Sequence, residues 1–269
     1  MLQPRFPLPL HQHPSFRAAL AETGTDVTTP LGHTLILRRA FGLKFALLPR
    51  LPSTDFQALR RTIRQNHGRV VTMLHPEAED HVALRASGAK PVMTPATVAE
   101  LDLTKSRLRE NLHQKWRNRL NRAEKSDLQI TSSPMPPDPD HWLFQRETEQ
   151  QRKRGYKNWP VSFTTAFANT GQTRLFIASI GPTPVAAMLF LRHGASASYH
   201  LGYSREEGKH LSAHNLLMWR AMIWLKSQGH SLLDLGTIAT NTNPGLARFK
   251  LGTGATPRQL GGTWIWPRT

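Results

Sequence analysis

Cysteine is absent from the 269-residue sequence, which excludes disulfide bonds, thiolate nucleophiles and cysteine-ligated zinc sites. Long apolar runs are absent too, because the longest, residues 184–191, is far shorter than the ~20 residues that span a bilayer. The N-terminus is interrupted by prolines and lacks the apolar stretch of a signal peptide. These absences predict a cytoplasmic protein, in a reducing compartment, whose membrane contact is limited to the inner face.

Acidic residues are scarce. Aspartate and glutamate number 18 against 35 lysines and arginines, and the formal net charge is +17. This excess favours a polyanionic partner, such as RNA, a nucleotide-linked substrate or an anionic membrane face. The alternative is a basic enzyme whose charge serves solubility, and charge alone does not separate the two. We expect a monomer.

The chain is long enough for one large domain or for two of half that size. The proline-rich segment 132–139 is the best candidate for a linker. It would separate an N-terminal half, 1–131, from a C-terminal half, 140–269. Each half mixes strand-like and helix-like segments, which predicts an α/β fold with a mixed sheet flanked by helices, or two such halves in tandem.

A long basic helix is predicted over about residues 105–125, at the end of the first half. Its apolar residues recur every three or four positions: Leu108, Leu112, Trp116, Leu120 and Ala123. Its other faces carry eight lysines and arginines. These cations form either a solvated surface or a contact for phosphate groups.

The most informative stretch lies in the second half, at 198–254. It predicts a strand at 199–203, a charged loop at 205–210, a helix from Ser212 to about 228, and a strand at 232–236. The pattern Arg205-x-x-Gly208-x-His210 resembles Arg/Gln-x-x-Gly-x-Gly/Ala, the phosphate loop of acetyl-CoA-dependent N-acetyltransferases. His210 departs from that pattern at the last position, where a side chain would crowd a pyrophosphate.

Longer motifs resemble the FemABX family. The C-terminal ones are Ser212-x-x-Asn215-Leu-Leu-x-Trp219, Gly229-x-x-x-x-Asp234-Leu-Gly236 and Gly245-Leu-x-x-Phe249-Lys250-x-Gly252. Earlier ones are 101–106, Lys115-x-Arg117, 122–125 and the proline-bounded 47–52. The sequence is therefore identified as a FemABX-like member of the GNAT acyltransferase superfamily.

That resemblance implies transfer of an aminoacyl group from aminoacyl-tRNA to an amine of a peptidoglycan precursor. No bound cofactor is expected, because aminolysis needs a held carbonyl and a stabilised oxyanion, and no protein nucleophile. The resemblance implies Lys250 as the cation that stabilises the oxyanion or binds the end of the tRNA. Arg248 is its predicted companion, unless it only faces solvent.

A donor or phosphate site is predicted at the start of the 212–228 helix. Its members are Arg205, Gly208, Lys209, Ser212 and Asn215, because a helix N-terminus offers backbone N–H groups to anions. The alternative is an ordinary charged turn.

Asp234 and Tyr203 complete the predicted catalytic set. Asp234, at a strand end, either takes a proton from the attacking amine or accepts hydrogen bonds from loop amides. Tyr203, like Tyr199, either donates a hydroxyl proton to the leaving group or packs in the core. No metal site is expected, because His210 and His214 have no evident third ligand.

Two further segments are open to more than one interpretation. The polar loop 236–245 is a candidate lid. Trp264 and Trp266 alternate on the last strand, and either line an acceptor groove or pack under a helix.

Three functions remain open from the sequence. The first is the FemABX-type aminoacyltransferase, with tRNA meeting the basic segments 105–125 and 146–157. The second is an N-acyltransferase that uses acyl-CoA or an acyl carrier protein. The third is a non-catalytic protein that binds RNA or a membrane surface on the same fold.

Overall fold

The computed structural model describes residues 7–40 and 42–267. Residues 1–6, part of the proline-interrupted N-terminus, lie outside the described residues. The chain forms two compact units: one comprises residues 1–10 and 99–257, and the other comprises 11–98 and 258–269. We call them the large unit and the small unit.

The described helices and strands follow one another in mixed order. The helices are α1 (Pro14–Glu22), α2 (Phe56–His67), α3 (His81–Ala86), α4 (Gln114–Glu124), α5 (Trp142–Arg154), α6 (Val161–Asn169), α7 (Glu206–His210), α8 (Ala213–Ser227) and α9 (Pro244–Leu251). The strands are β1 (Asp26–Thr28), β2 (Leu35–Ala40), β3 (Leu43–Leu51), β4 (Val71–Pro76), β5 (Lys90–Met93), β6 (Thr97–Asp102), β7 (Gln129–Ser133), β8 (Thr173–Ile180), β9 (Thr183–His193), β10 (Ser196–Ser204), β11 (Leu232–Ile238), β12 (Thr256–Gln259) and β13 (Thr263–Trp266).

The small unit is built on a six-stranded sheet in the order β1-β2-β3-β4-β13-β5. The amphipathic helix α2 buries Phe56, Leu59 and Ile63 in its core. Trp264 and Trp266 are buried in the same core, at 2% and 0% exposure. The packing alternative for these two tryptophans is therefore confirmed, and they line no groove.

The large unit is built on a seven-stranded sheet in the order β12-β6-β11-β10-β9-β8-β7. Strands β7 to β10 pair antiparallel, and β10 pairs parallel with β11. Helices cover both faces, so the alternating residues of β9 enter two cores. Met188 and Phe190 pack in the core that contains α4 and α8, whereas Ala187 and Leu189 pack in the core that contains α5. The predicted α/β fold, with mixed sheets flanked by helices, is confirmed.

The division of the chain differs from the one the sequence predicts. The compact units separate within β6 and β12, and the segment 132–139 lies inside the large unit. Ser132 and Ser133 pair with β8, and Met135 is 2% exposed and donates its N–H to Thr173 Oγ1 at 3.0 Å. The prolines there mark an irregular, mostly exposed connection within the large unit, anchored by Met135, rather than a linker between units.

The basic helix is shorter than predicted. Helix α4 begins at Gln114, whereas residues 105–112 form turns in which Leu108 and Leu112 are still buried. The amide of His113 donates to Gly252 O at 3.0 Å, and so it is not available to continue a helix from residue 109. A tertiary hydrogen bond thus overrides the helical periodicity.

Two short helices differ from the sequence prediction. Helix α6 was not predicted, because it is apolar on most sides and lacks a polar stripe: Phe163, Thr164, Ala166, Phe167 and Ala168 are all buried. Segment 206–210, predicted as a loop, is the helical turn α7, with an i,i+3 ion pair between Glu206 and Lys209. Among the described residues, no helix combines the length and apolar character that crossing a membrane requires.

Candidate active site

Strands β10 and β11 diverge in the large unit. Their parallel pairing runs from Ser196↔Leu232 to Ser198↔Asp234. Both strands then continue, to Ser204 and Ile238, beyond that described pairing. Since paired strands satisfy each other's backbone groups, this divergence leaves facing edges that need other partners.

Side chains from α5 and the segment after it supply those partners on β10. Backbone groups of successive strand residues point to alternate edges, and Arg205 N–H donates to Val185 O on the β9 side. The carbonyl of Gly202 therefore faces the side of β11, whereas His200 lies at a register shift between Tyr199 and Leu201. Asn158 Nδ2 donates to His200 O at 3.2 Å, and Gln150 Nε2 donates to Gly202 O at 3.2 Å.

A buried carboxylate holds these two amides in place. Glu147 is 5% exposed, and its Oε1 accepts from Tyr156 Oη at 3.0 Å and from Asn158 Nδ2 at 3.4 Å. Its Oε2 accepts from Gln150 Nε2 at 3.3 Å. We call Glu147, Gln150, Tyr156 and Asn158 the amide cluster. Because its members bind one another as well as β10, the cluster is a preorganised edge and not a set of loose surface side chains.

Lys250 lies at the end of β11 on the other side of the divergence. Lys250 as a whole is 5% exposed, and its Nζ donates to Thr237 O at 2.8 Å. Burial lowers the pKa of Lys250 to about 8, against a smaller opposing effect of the Asp234 charge. The lysine is thus a desolvated cation held beside a strand end, and the alternative of a surface lysine is excluded.

The local sequence explains how Lys250 is positioned. Asn243 caps α9 through a 3.2 Å hydrogen bond from Leu246 N to its Oδ1, and Pro244 follows at the first helical position. At the other end, Trp116 Nε1 donates to Phe249 O at 3.1 Å. Gly252 packs directly on Trp116, where a Cβ would lie 2.6 Å from Cδ1. Both ends of α9 are therefore fixed.

A buried lysine beside diverging parallel strands is an arrangement suited to acyl transfer, because a positioned, desolvated cation stabilises a developing oxyanion strongly. The family model of the acetyltransferase (GNAT) domain matches residues 106–255, more than half of the chain. The chain belongs to the GNAT family. It is an acyltransferase.

Solved structures with the same fold include FemX, at a TM-score of 0.74 and 13% identity over 97% of this chain and 96% of that one. The C-terminal domain of a candidate lysylphosphatidylglycerol synthetase from Agrobacterium fabrum aligns with a TM-score of 0.65 and 12% identity, over 95% and 88%. A tandem GNAT protein from the clavulanic acid biosynthesis pathway aligns with a TM-score of 0.54 and 15% identity, over 87% of this chain and 78% of that one. At these identities the likeness establishes the fold, which is FemABX-like within the GNAT superfamily. No curated protein sequence matches the chain significantly.

The segment that resembles a GNAT phosphate loop is folded as α7. Gly208 is buried with no room for a side chain, since a Cβ would lie 2.6 Å from Val185 O and 2.8 Å from Ser204 Oγ. Arg205 and Lys209 are exposed, and Lys209 forms an ion pair with Glu206. Packing therefore suffices to explain Gly208, and the phosphate role of these three residues stays a prediction.

The start of α8 is held by a cation from α4. Arg122 Nη2 donates to His210 O at 2.5 Å and lies 3.4 Å from Ser212 Oγ. Ser212 occupies the N-cap position with a left-handed φ of 58°, but its side chain makes no capping hydrogen bond. Asn215 is buried, and its Nδ2 has no hydrogen-bond partner in the described chain. An orphaned amide donor at a helix start is compatible with the predicted donor site.

The other predicted site residues fall in different surroundings. Asp234 Oδ1 accepts Gly236 N–H at 2.7 Å, so the loop-amide role is present, whereas the base role stays a prediction. Tyr203 packs edge-on against Trp142, with ring centroids 6.1 Å apart, which favours the core role for its ring. Arg248 is exposed on α9.

The histidine pair is divided between different tasks. His214 Nε2 lies 2.8 Å from Tyr203 O, which ties α8 to β10, and His210 is exposed. The described residues contain no group of three histidine or acidic side chains arranged for a metal ion. The predicted lid 236–245 comprises the end of β11, the exposed loop 239–243 and the start of α9, and its lid role stays a prediction.

Sequence reasoning missed the amide cluster. Its donors lie at 150 and 158, but the carbonyls they bind lie 52 and 42 residues further along the chain. Glutamine and asparagine in a charged helix have no distinctive spacing. The carbonyls of β10 need side-chain partners only because β11 diverges from β10, and this divergence is a tertiary feature. No local signal would have found the cluster.

Lys250→Met is expected to stabilise the protein by about 1–2 kcal/mol at pH 7. A lysine whose pKa falls from 10.5 to about 8 disfavours the folded state by on the order of 3 kcal/mol, partly offset by the hydrogen bond to Thr237. Between pH 8 and 10.5 the unfolded state binds more protons, so wild-type stability rises with pH and the difference shrinks. Urea unfolding at pH 7 and pH 10 measures this.

The exposed Lys125→Met is the matched control, with an expected change within about 0.5 kcal/mol. A destabilised Lys250→Met protein at pH 7 would show that the charge of Lys250 is well solvated.

Proposed function

We propose that this acyltransferase transfers an aminoacyl group from aminoacyl-tRNA to an amine of a peptidoglycan precursor. The family supplies the acyltransferase class, and the fold shared with FemX and with a candidate lysylphosphatidylglycerol synthetase supports an aminoacyl donor. The motifs at 212–219 and 245–252 support the same donor.

The observation that carries the proposal is the occupied edge of β10. The pantetheine arm of CoA or of an acyl carrier protein contains amides, and such a chain binds well by adding to a free strand edge. The carbonyls of His200 and Gly202 already accept hydrogen bonds from the amide cluster. An aminoacyl ester on a ribose has no amide arm and needs no free edge, so the occupied edge favours it.

The charge of α7 supports the same choice. Glu206 and Glu207 lie in the first turn of this helix, where a GNAT phosphate loop would meet a pyrophosphate. Carboxylates at that position repel a diphosphate and compete for the helix N-terminus. Lys209 is paired with Glu206 and so offers less charge to a ligand.

The chemistry is aminolysis of an ester. The neutral amine of the acceptor attacks the aminoacyl carbonyl, and the carbon–nitrogen bond forms as negative charge develops on oxygen. Lys250, kept charged and desolvated, stabilises this oxyanion. The carbon–oxygen bond then breaks, and the proton lost by the amine ends on the ribose hydroxyl of the tRNA. Asp234 is the candidate carrier of that proton.

The second candidate is an N-acyltransferase that uses acyl-CoA or an acyl carrier protein. The Arg205-x-x-Gly208 pattern favours it, and an acidic carrier protein would suit a chain with a net charge of +17. The non-catalytic alternative is disfavoured by the family to which the chain belongs. An anionic membrane face remains a candidate second partner, since cell-wall precursors are made there.

A donor test decides between these candidates. Purified protein is given labelled aminoacyl-tRNA or labelled acyl-CoA, each with a cell extract as the acceptor source. We expect label to leave tRNA for a small acceptor, and millimolar CoA to leave the melting temperature unchanged. Label leaving only acyl-CoA, or a clear rise in melting temperature with CoA, would overturn the proposal in favour of the second candidate.

A further inference from the structure

Two arginines stack on one tryptophan at the α8-covered face of the large unit. Arg174 on β8 and Arg192 on β9 have guanidinium carbons 4.5 and 5.5 Å from the ring centre of Trp224 on α8. Arg174 pairs with Phe190, two residues before Arg192, so both arginines project from the same face of the sheet. The indole fixes both guanidinium groups next to each other.

Two buried nitrogens of this group lack partners. Arg174 Nε and Arg192 Nε are inaccessible to solvent and have no hydrogen-bond partner among the described residues. Arg174 Nη2 donates to Ser132 Oγ at 2.7 Å, and Arg192 Nη2 donates to Gln172 Oε1 at 3.2 Å. Neither Arg174 nor Arg192 forms an ion pair with any residue that the structure describes. The two guanidinium charges therefore lack a counter-ion within the described residues, and an external anion would supply one.

The electrostatics of the two arginines also favours a bound anion. Burial and then the charge of Arg192 lower the pKa of Arg174. Burial lowers the pKa of His230 as well, with Arg192 as the second cause. The two guanidinium groups therefore repel each other, and a bound anion would relieve that repulsion. Guanidinium groups bind phosphate oxygens through paired N–H donors.

There is room for a ligand beside this group. A cavity of about 610 Å³ is lined by Trp224 and Ser132, both of which contact Arg174, and its lining includes Thr131, Arg220 and Ser227. Glu124 is the acidic residue of this lining, and Arg109 engages its carboxylate with a 2.8 Å hydrogen bond. The cavity thus adjoins the arginine pair through Trp224 and Ser132, and the guanidinium group in its own lining is that of Arg220.

This group is separate from the candidate active site. His230 lies just before β11, whereas Lys250 is bonded to Thr237 near the end of that strand. Six to seven strand residues separate the two positions, or about 20 Å at ~3.3 Å per residue. A ligand as small as an acyl group cannot occupy both places, but a long polyanion can.

We propose that Arg174, Arg192 and Trp224 form an anion site that binds a backbone phosphate of RNA. The choice of RNA rests on the proposed function, in which tRNA delivers the aminoacyl group. The guanidinium pair would hold the phosphate, and the hydroxyl of Ser132 would hold the adjoining ribose. The site would orient the donor while its ester end reaches Lys250.

The test measures binding of deacylated bulk tRNA by fluorescence anisotropy over a range of salt concentrations. Arg174→Gln/Arg192→Gln is expected to weaken binding about tenfold or more near 100 mM salt and to reduce the salt slope by about two. The control pair is Arg61→Gln/Arg64→Gln, which removes the same charge from the exposed face of α2 in the small unit. We expect the control pair to change binding by less than about threefold.

Unchanged binding in the Arg174/Arg192 pair, or an equal loss in the control pair, would overturn the site. If the glutamine pair does not fold, Arg174→Lys/Arg192→Lys provides the same test. It keeps both charges and removes the paired donors, so bulk attraction predicts no loss and the proposed site predicts severalfold weaker binding.

The outcome is distinct from that of the proposed function. Deacylated tRNA has no group to transfer, so site-specific binding without transfer by the wild-type protein would refute the aminoacyltransferase alone. Transfer from aminoacyl-tRNA with unaltered binding in the arginine pair would refute the anion site alone.

Discussion

Lys250→Ala is expected to lower kcat by about 100- to 1,000-fold while the protein stays folded. The ammonium group is desolvated and fixed by Thr237, so it meets a developing oxyanion without reorganisation. Removing one such preorganised donor typically costs that factor, and it acts on kcat because the charge appears only in the transition state. Initial rates with the donor that the transfer test selects measure the effect.

The pH dependence of the wild-type rate reports which form of Lys250 works. Burial lowers the pKa of Lys250 to about 8, so the cation is lost as the pH rises through that value. If the cation stabilises the oxyanion, kcat falls above about pH 8. Deprotonation of the acceptor amine would raise the rate of the wild type and of Lys250→Ala alike. A rise from pH 7 to 9 in the wild type that is absent from Lys250→Ala would indicate a neutral lysine that accepts a proton, and would contradict the assigned role.

Arg248→Ala is the matched control for Lys250→Ala. Arg248 lies two residues earlier on the same helix but is exposed, so its loss leaves the buried donor in place. We expect less than a tenfold change in kcat, with any effect appearing in KM. Equal losses in the two variants would mean that α9 contributes general positive charge rather than one positioned ammonium.

Much of the fold could be predicted because its signals are local. The stripe of Trp116, Leu120 and Ala123 repeats at helical spacing, and all three side chains are buried. Strands such as 174–179 and 185–191 are short apolar runs bounded by turns. The start of α4 could not be predicted, because it depends on the tertiary hydrogen bond from His113 to Gly252.

The candidate site divides in the same way. Lys250 could be singled out because it lies in a compact motif, 245–252. The amide cluster could not be predicted, since its partners are backbone carbonyls of β10 that are unpaired only because β11 diverges from β10. The Arg174 and Arg192 pair was also invisible, because two arginines 18 residues apart become neighbours only through the pairing of β8 with β9.

Gly252→Ala is expected to destabilise the protein by about 1–3 kcal/mol and to lower kcat at least tenfold. A Cβ at this position would lie 2.6 Å from Trp116 Cδ1 and 2.9 Å from Arg248 O. The backbone carbonyl cannot rotate away, and the indole is buried and hydrogen-bonded to Phe249 O. The C-terminal end of α9 must therefore shift, and Lys250 shifts with it.

Gly245→Ala provides the control within the same helix. Its Cβ would enter open space, and alanine favours a helix over glycine, so stability should be unchanged or higher by up to about 1 kcal/mol. Urea unfolding and kcat are measured for both variants. A Gly252→Ala protein as stable and active as Gly245→Ala would show that α9 tolerates displacement, and that the contact with Trp116 does not set the position of Lys250.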